Sequence, residues 1–363
     1  MNTGTTNYLN HLRFGDVQRH RHISVVPLFS SYRFAPSYVS LVDAMTAGTL
    51  TVSEVSEQGS VPHLLVLNEG YVPVLGIGGE ELIGAKQNRI LNTSILLKAD
   101  SITVVPVSCT ECGRWHYNSA YFATSDSVVE RNIRSRKSRS VSESLAKGNL
   151  AASDQSEVWE GIQALHSKAK CASITSAMHD VFKAQENPLN ECLQAIPRFD
   201  DQIGLVVTVS DRIAGLDVVS RPEVYAQLHE RLVRSYVLDA LLDDPSEAQT
   251  ASETFLMAQE FVHSLTTASE EVFDSVGHGR DHRYRAGGLT GSALIHDSQL
   301  IHASFLSLDV VHPCFDCMFE LGRQGRARSR KAMETAAFRP GYTVSVKRRA
   351  SCRPGTGRVN LGG

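Results

Sequence analysis

Five short runs dominate the first 108 residues: HISVVPLF at 22–29, HLLVLNEG at 63–70, YVPVLGI at 71–77, RILNTSILL at 89–97 and SITVVPVS at 101–108. Each is rich in Val, Ile and Leu, and Gly, Asn or Pro breaks it before a helical face could develop. Runs of this length and composition predict short strands. One helix is expected among them, near Ser40 to Ala47, with Gly48 as its C-terminal stop. From about Ser127 to Ala184 the pattern turns polar and helical. The charged stretch RNIRSRKSRS at 131–140 reads as a solvated helix face or a mobile loop.

The second half repeats a theme. GLVVTVSDRIAGLDVVS at 204–220 predicts a hairpin turning at Ser210-Asp211, and GSALIHDSQLIHASFLS at 291–307 has the same layout around Asp297-Ser298. Whether these are an internal repeat or two independent hairpins stays open. Between them, Pro222 opens a helix carrying Val224, Leu228, Leu232, Tyr236 and Ala240 at helical spacing. A second helix is expected over Glu247 to Val276, ended by Gly277. Strands, helices and strands again define an α+β fold: a β-rich N-terminal part with helices and later hairpins packed on it. The expected domain spans 1–313, with two β-rich lobes joined by a helical segment near 127–195 as one arrangement of it.

Residues 314–363 differ in kind. They hold eleven Arg and Lys against three acids, so the overall charge of −3 hides a tail of +8 on a body of −11. Few aliphatic side chains occur there, and disorder is the expectation, with Tyr342 to Val346 available as one strand. An acidic body argues against nucleic acid as its partner. With 42% hydrophobic and 21% charged residues, the chain can bury a sizeable core. No apolar run approaches the roughly 18 residues of a membrane helix, and the polar N-terminus lacks a signal-peptide layout, so no membrane partner and a cytoplasmic location are expected. The seven cysteines include two CxxC pairs, Cys109 with Cys112 and Cys314 with Cys317. Some 200 residues separate the pairs, which favours reduced thiols over a shared zinc site, and no metal is expected.

The densest chemistry lies between Gly76 and Trp115. GIGGEELIGAKQNRILN sets Glu80, Glu81, Lys86, Gln87, Asn88, Arg89 and Asn92 among glycines, and VPVSCTECGRWHY follows with Glu111, Arg114 and Trp115. GIGGEE lacks the third glycine of a dinucleotide fingerprint, and neither a GxxxxGK[ST] loop nor a GxSxG elbow is present. No cofactor is expected. The segments GEELIGAKQNRILNTSILL and VPVSCTECGRWHY resemble the domain family named for its association with ADP-ribosylglycohydrolases and rhodanese- or phosphatase-like proteins. The resemblance runs over roughly residues 10 to 310 and includes SLVDAMTAGTLTVSEVS, DQSEVWEGI and RLVRSYVLDAL. It departs at Cys112, where the family more often has Gln or another polar residue. Membership implies a link to NAD and ADP-ribose metabolism, with ADP-ribose-processing enzymes as partners, but no settled reaction.

Each candidate carries two readings. Glu80 and Glu111 could serve as general acid or base for hydrolysis of a glycosidic or pyrophosphate bond, or simply pair with Arg89 or Arg114. Lys86, Arg89 and Arg114 could grip the diphosphate of a nucleotide ligand. Gln87, Asn88 and Asn92 could meet ribose hydroxyls or a base edge, or satisfy backbone groups at a tight turn. Trp115 could stack on a base or close the edge of the core. His20, His22, His278 and His282 read as solvated or hydrogen-bonded, and Asp217 and Asp239 as local hydrogen-bonding positions. With these residues, the resemblance implies an expected function of binding or processing an ADP-ribose-type nucleotide; the alternative expectation is a non-catalytic ligand- or partner-binding domain accessory to ADP-ribose enzymes.

Overall fold

A computed structural model describes residues 3–32, 36–210, 212–242 and 250–308, with the backbone of 344–345. The rest of the Arg-rich tail, including Cys314 and Cys317, lies outside the described residues, as does the expectation of disorder placed on it.

The chain begins with α1 (Thr3–Asn10), β1 (Leu12–Phe14), β2 (Gln18–His20) and β3 (Ile23–Ser30). Next come β4 (Val39–Ser40), α2 (Leu41–Thr46), β5 (Leu50–Glu54), β6 (His63–Asn68) and β7 (Val74–Gly76). The motif region supplies β8 (Glu80–Gly84), β9 (Arg89–Leu91), β10 (Ile95–Leu97), β11 (Ser101–Cys109) and β12 (Phe122–Val128). Four helices follow: α3 (Arg131–Ala146), α4 (Gln155–Ala169), α5 (Met178–Ala184) and α6 (Glu186–Ala195). β13 (Gly204–Val209) and β14 (Arg212–Val219) then lead into α7 (Pro222–Leu242) and α8 (Ala251–Leu265). The domain closes with β15 (Ser269–Asp274), β16 (Arg280–Ala286), β17 (Leu289–His296) and β18 (Gln299–Ser307); β19 (Val344–Ser345) pairs with β11. The fold is mixed α+β with a β-rich N-terminal part.

Local chemistry explains most boundaries. Ser40 caps α2 by accepting from the Asp43 amide at 3.0 Å, and Gly48 turns the chain away with φ of 69°. Asp297 and Ser298 both take positive φ, 48° and 61°, giving the β17–β18 hairpin the primed turn that suits strand twist. The helix expected over Glu247 to Val276 is shorter. A capping box of Thr250 and Glu253 fixes its start, and the Thr266 and Thr267 hydroxyls bond back to carbonyls at its end. SEEVFD then pairs with β16 as β15.

A nine-stranded antiparallel sheet runs β1-β3-β13-β14-β18-β17-β16-β15, with β2 also on β3. Its strands are not contiguous in sequence, because β3 from the N-terminus pairs with β13 along its length. Both faces are covered, which is why β13 reads as an unbroken apolar run. Leu205 and Val207 join one core with α3 to α7, whereas Val206 joins another beneath α1 and α8. The motif strands form a second sheet, β12-β8-β9-β11-β6-β5, beside the small β10-β7-β4 sheet and α2. α7 packs between the two layers, against β12 on one side and β13 and β14 on the other.

The stretch RNIRSRKSRS is neither solvated nor a loop. It opens α3, and Arg131, Arg134 and Lys137 are 4%, 2% and 2% exposed. Acids from distant elements make this burial tolerable, since a buried charge needs a partner. Arg131 bonds Asp239 of α7 through Nε at 2.8 Å and Nη2 at 2.6 Å. Arg134 meets Asp217 of β14, which also accepts from the Tyr236 hydroxyl at 2.7 Å. Gly79 makes room for it: with φ of 101°, a Cβ there would lie 3.2 Å from Arg134 Cδ. Lys137 donates to the carbonyls of Leu91 and Asn92 at 2.9 and 2.8 Å, and burial drives its pKa well below that of an ordinary amine. Asp217 and Asp239 are thus the counter-charges of a helix, a role beyond local hydrogen bonding.

Candidate functional site

The two motifs meet at the turn between β8 and β9. Residues Lys86 to Arg89 lie against the end of β11 and the ECGRW loop, tied by the Thr110 amide donating to the Asn88 carbonyl at 3.0 Å. Glu111 and Arg114 form the centre of the junction. Arg114 donates to Glu111 through Nε at 2.9 Å and Nη2 at 2.6 Å. It also donates to the carbonyls of Ala85, Gly84 and His116 and to Asn88 Oδ1. Every N–H of that fork is used inside the protein, so the diphosphate grip expected of Arg114 has no donor left to make it. Burial opposes ionisation of Glu111, but Arg114, Thr175 and the Asn88 amide hold its pKa below the usual carboxylate value. A carboxylate so pinned is a brace for the turn.

The amides follow the same logic. Asn88 accepts from the Gly84 amide at 3.1 Å. Gln87 donates to the Glu111 carbonyl at 2.8 Å and accepts from Cys109 Sγ at 2.9 Å and Arg89 Nη1 at 3.1 Å. Asn92 is turned away from the junction, donating to the Ala151 carbonyl at 3.0 Å and accepting from Ser108 at 2.6 Å.

Glu80 stands apart from the cluster. It is 1% exposed, accepts from the Ile77 amide at 2.7 Å and faces Arg231 of α7 at 3.6 Å. Burial raises its pKa, against the pull of Arg231 and the amide. The adjacent Glu81 points the other way, as alternation along a strand requires, and meets Thr110 at 2.9 Å.

What remains is Arg89, and it is unusual. Its side chain is wholly buried, yet among the described residues only Nη1 has partners, Gln87 Oε1 and the Asn88 carbonyl at 3.3 Å; Nε and Nη2 have none there. Burial lowers its pKa, with Cys109 and Glu54 acting in the opposite sense. The Trp115 ring, 45% exposed, lies 5.6 Å from its guanidinium, and Lys86 Nζ lies 5.5 Å from Trp115 and 5.0 Å from Tyr117. Glu54, at the end of β5, closes the group with a buried Oε2 that has no hydrogen-bond partner. The sequence reading missed Glu54; a lone acid ending a strand gives no signal. Two cations beneath an accessible indole can receive an anion carrying an aromatic ring.

The fold and this junction define an α+β domain whose signature residues build a polar turn under an aromatic cover. The chain belongs to the ARG and Rhodanese-Phosphatase-superfamily-associated Protein domain family, ARPP-1, whose profile matches residues 11–306. Comparison with curated proteins and with solved structures found no match. Among the described residues no helix is long and apolar enough to cross a membrane.

Proposed function

We propose that this domain is an accessory ligand-binding protein of ADP-ribose metabolism, taking an ADP-ribose-type nucleotide at the Lys86–Arg89–Trp115 cluster. The observation that carries the reading is the buried Arg89 guanidinium with two unpartnered nitrogens under a half-exposed tryptophan. A buried donor without a partner costs stability, and its retention fits a ligand that supplies the missing acceptors. A diphosphate would receive the free edge of Arg89 and the Lys86 ammonium, and the adenine ring would stack on Trp115 once that ring swings outward. Gln87 would keep Arg89 oriented, with Asn88, Glu111 and Arg114 as the frame and Asn92 as a distant brace. Binding without catalysis is favoured because Glu111 is locked to Arg114. Glu80, whose buried carboxyl holds its proton more tightly than usual, is the acid a hydrolase reading would need.

Calorimetry with ADP-ribose tests this on the full chain. Arg89→Ala should lose about 1.5 to 3 kcal/mol of binding, the range for a hydrogen bond to a charged group. Arg89→Lys should fail to restore it, because an ammonium has no fork. Trp159→Phe leaves Trp115 as the sole indole fluorophore, and its emission should shift on binding. Absence of binding by the parent chain refutes the reading.

A further inference from the structure

Away from Arg89, one titratable pair combines deep burial with access to solvent. Glu81 is fully buried and receives Thr110 Oγ1 at 2.9 Å and Ser127 Oγ at 3.3 Å. Among the described residues its only ion-pair partner is His179 of α5, whose Nδ1 lies 3.6 Å from Glu81 Oε2 and 3.4 Å from Ser125 Oγ. The His179 side chain is 31% exposed. The nearby Glu81 carboxylate, outweighing the opposing effect of burial, raises its pKa above the ordinary histidine value; Asp126 and Asp180 act in the same direction.

The histidine opens on a pocket of ≈ 210 Å³ lined by Asp126, His179, Phe182, Lys183, Glu186 and Arg234. Lys183 lies one helical turn beyond His179, so both project from the same face of α5. Arg234 of α7 enters from the other side, held by Asp126 at 3.0 Å and Asn190 at 2.9 Å. We infer that this pocket is a second ligand site, which takes a small oxyanion, a single phosphate or carboxylate group, on the imidazolium of His179 with Lys183 and Arg234 as further donors. Glu81 is the buried counter-charge that favours the protonated ring and, by holding Nδ1, leaves the other nitrogen to face the pocket. The volume falls below the range of roughly 300 to 1,000 Å³ usual for drug-sized ligands, so the site suits one charged group and not a nucleotide. Asp126 is paired with Arg234, so Arg234 offers the anion its remaining N–H donors more than net charge, and Glu186, unpaired among the described residues, is the lining carboxylate that opposes the anion.

Sulfate is the probe, because its charge does not change near neutral pH. Titrating it into the full chain at constant ionic strength, the His179 ring resonance, assigned with His179→Gln, should move saturably. The charged groups facing His179 are Glu81 from β8, Asp126 from β12, Asp180 and Lys183 from α5, Glu186 from α6 and Arg234 from α7. Affinity should fall as pH rises through the pKa of His179 and level off at the several-fold weaker value of the uncharged ring. His179→Gln and Lys183→Gln should each weaken sulfate several-fold, and Glu186→Gln should tighten it. Lys183 and Glu186 are exposed, so folding is not at stake in those two variants; His179→Gln removes the ion-pair partner of buried Glu81, so its melting curve is recorded alongside. Arg89→Ala should leave the sulfate-dependent shift of the His179 resonance unchanged, which separates this site from the nucleotide site. No saturable shift, or affinity unaltered in either His179→Gln or Glu186→Gln, overturns the inference.

Discussion

Arg134 and Arg89 are both buried, yet they live in opposite chemical settings. Arg134 meets Asp217, with Tyr236 and Ser304 completing a network that joins α3 to the large sheet. Arg89 has no carboxylate within ion-pair distance among the described residues, and two of its nitrogens face no acceptor. A charge buried with its counter-charge holds elements together. One buried without it weakens the fold unless a ligand supplies the missing acceptors. The first cluster is architecture; the second is the proposed binding site.

The contrast can be broken most forcefully at Asp217. Asp217→Ala strands Arg134 and should cost about 3 to 5 kcal/mol in a denaturant titration; a loss below about 1 kcal/mol would mean the network is not what fastens α3. Next in size is the pH response of His302, which lies 3.8 Å from Asp217 and whose pKa burial pushes down to about 4. A neutral folded histidine competes with a protonatable unfolded one. Its stabilisation is therefore complete above about pH 6.5 and is lost as pH falls toward 4, amounting to about 3 kcal/mol. His302→Gln should flatten that part of the stability–pH curve.

Lys137 gives a gentler slope with the same sign. Its hydrogen-bond acceptors are two carbonyls, and burial sets its folded pKa below that of the unfolded chain. Between those values stability should rise with pH, by up to about 1.4 kcal/mol per unit, and Lys137→Met should remove the rise. The smallest effect is reserved for Arg89. Arg89→Met breaks no ion pair, so its stability should stay within about 1 kcal/mol of the parent while ADP-ribose binding weakens by about 1.5 to 3 kcal/mol, as for Arg89→Ala. A collapse comparable with Asp217→Ala would make Arg89 structural.

What could be read from the sequence was local. The α2 stop at Gly48, the Asp297-Ser298 turn and the Pro222 helix start each depend on neighbours within a few residues, and all are present; β13 and β14 pair as expected, with Asp211 of their turn outside the described residues. The nearness of the QNR and GRW segments was legible because two polar motifs each adjoined an apolar strand. RNIRSRKSRS was misread because its partners lie far along the chain; Asp217 and Asp239 are 83 and 108 residues from the arginines they hold. The choice of Glu80 over Glu81 could not be made from composition either, since only strand alternation decides which of two adjacent glutamates faces Thr110.

The position of β3 carries a consequence for how the protein is made. Six of its eight residues are buried, and its long edge is claimed by β13. A ribosome adding residues in order finishes β3 about 170 residues before β13 exists, at roughly 5 to 20 residues per second. For on the order of ten seconds or more, an apolar strand with one unclaimed edge waits outside the exit tunnel with only β1 and β2 beside it. Expression yield should therefore respond more to chaperone supply, and to substitutions on β3 that discourage foreign pairing, than the stability of the finished domain would suggest.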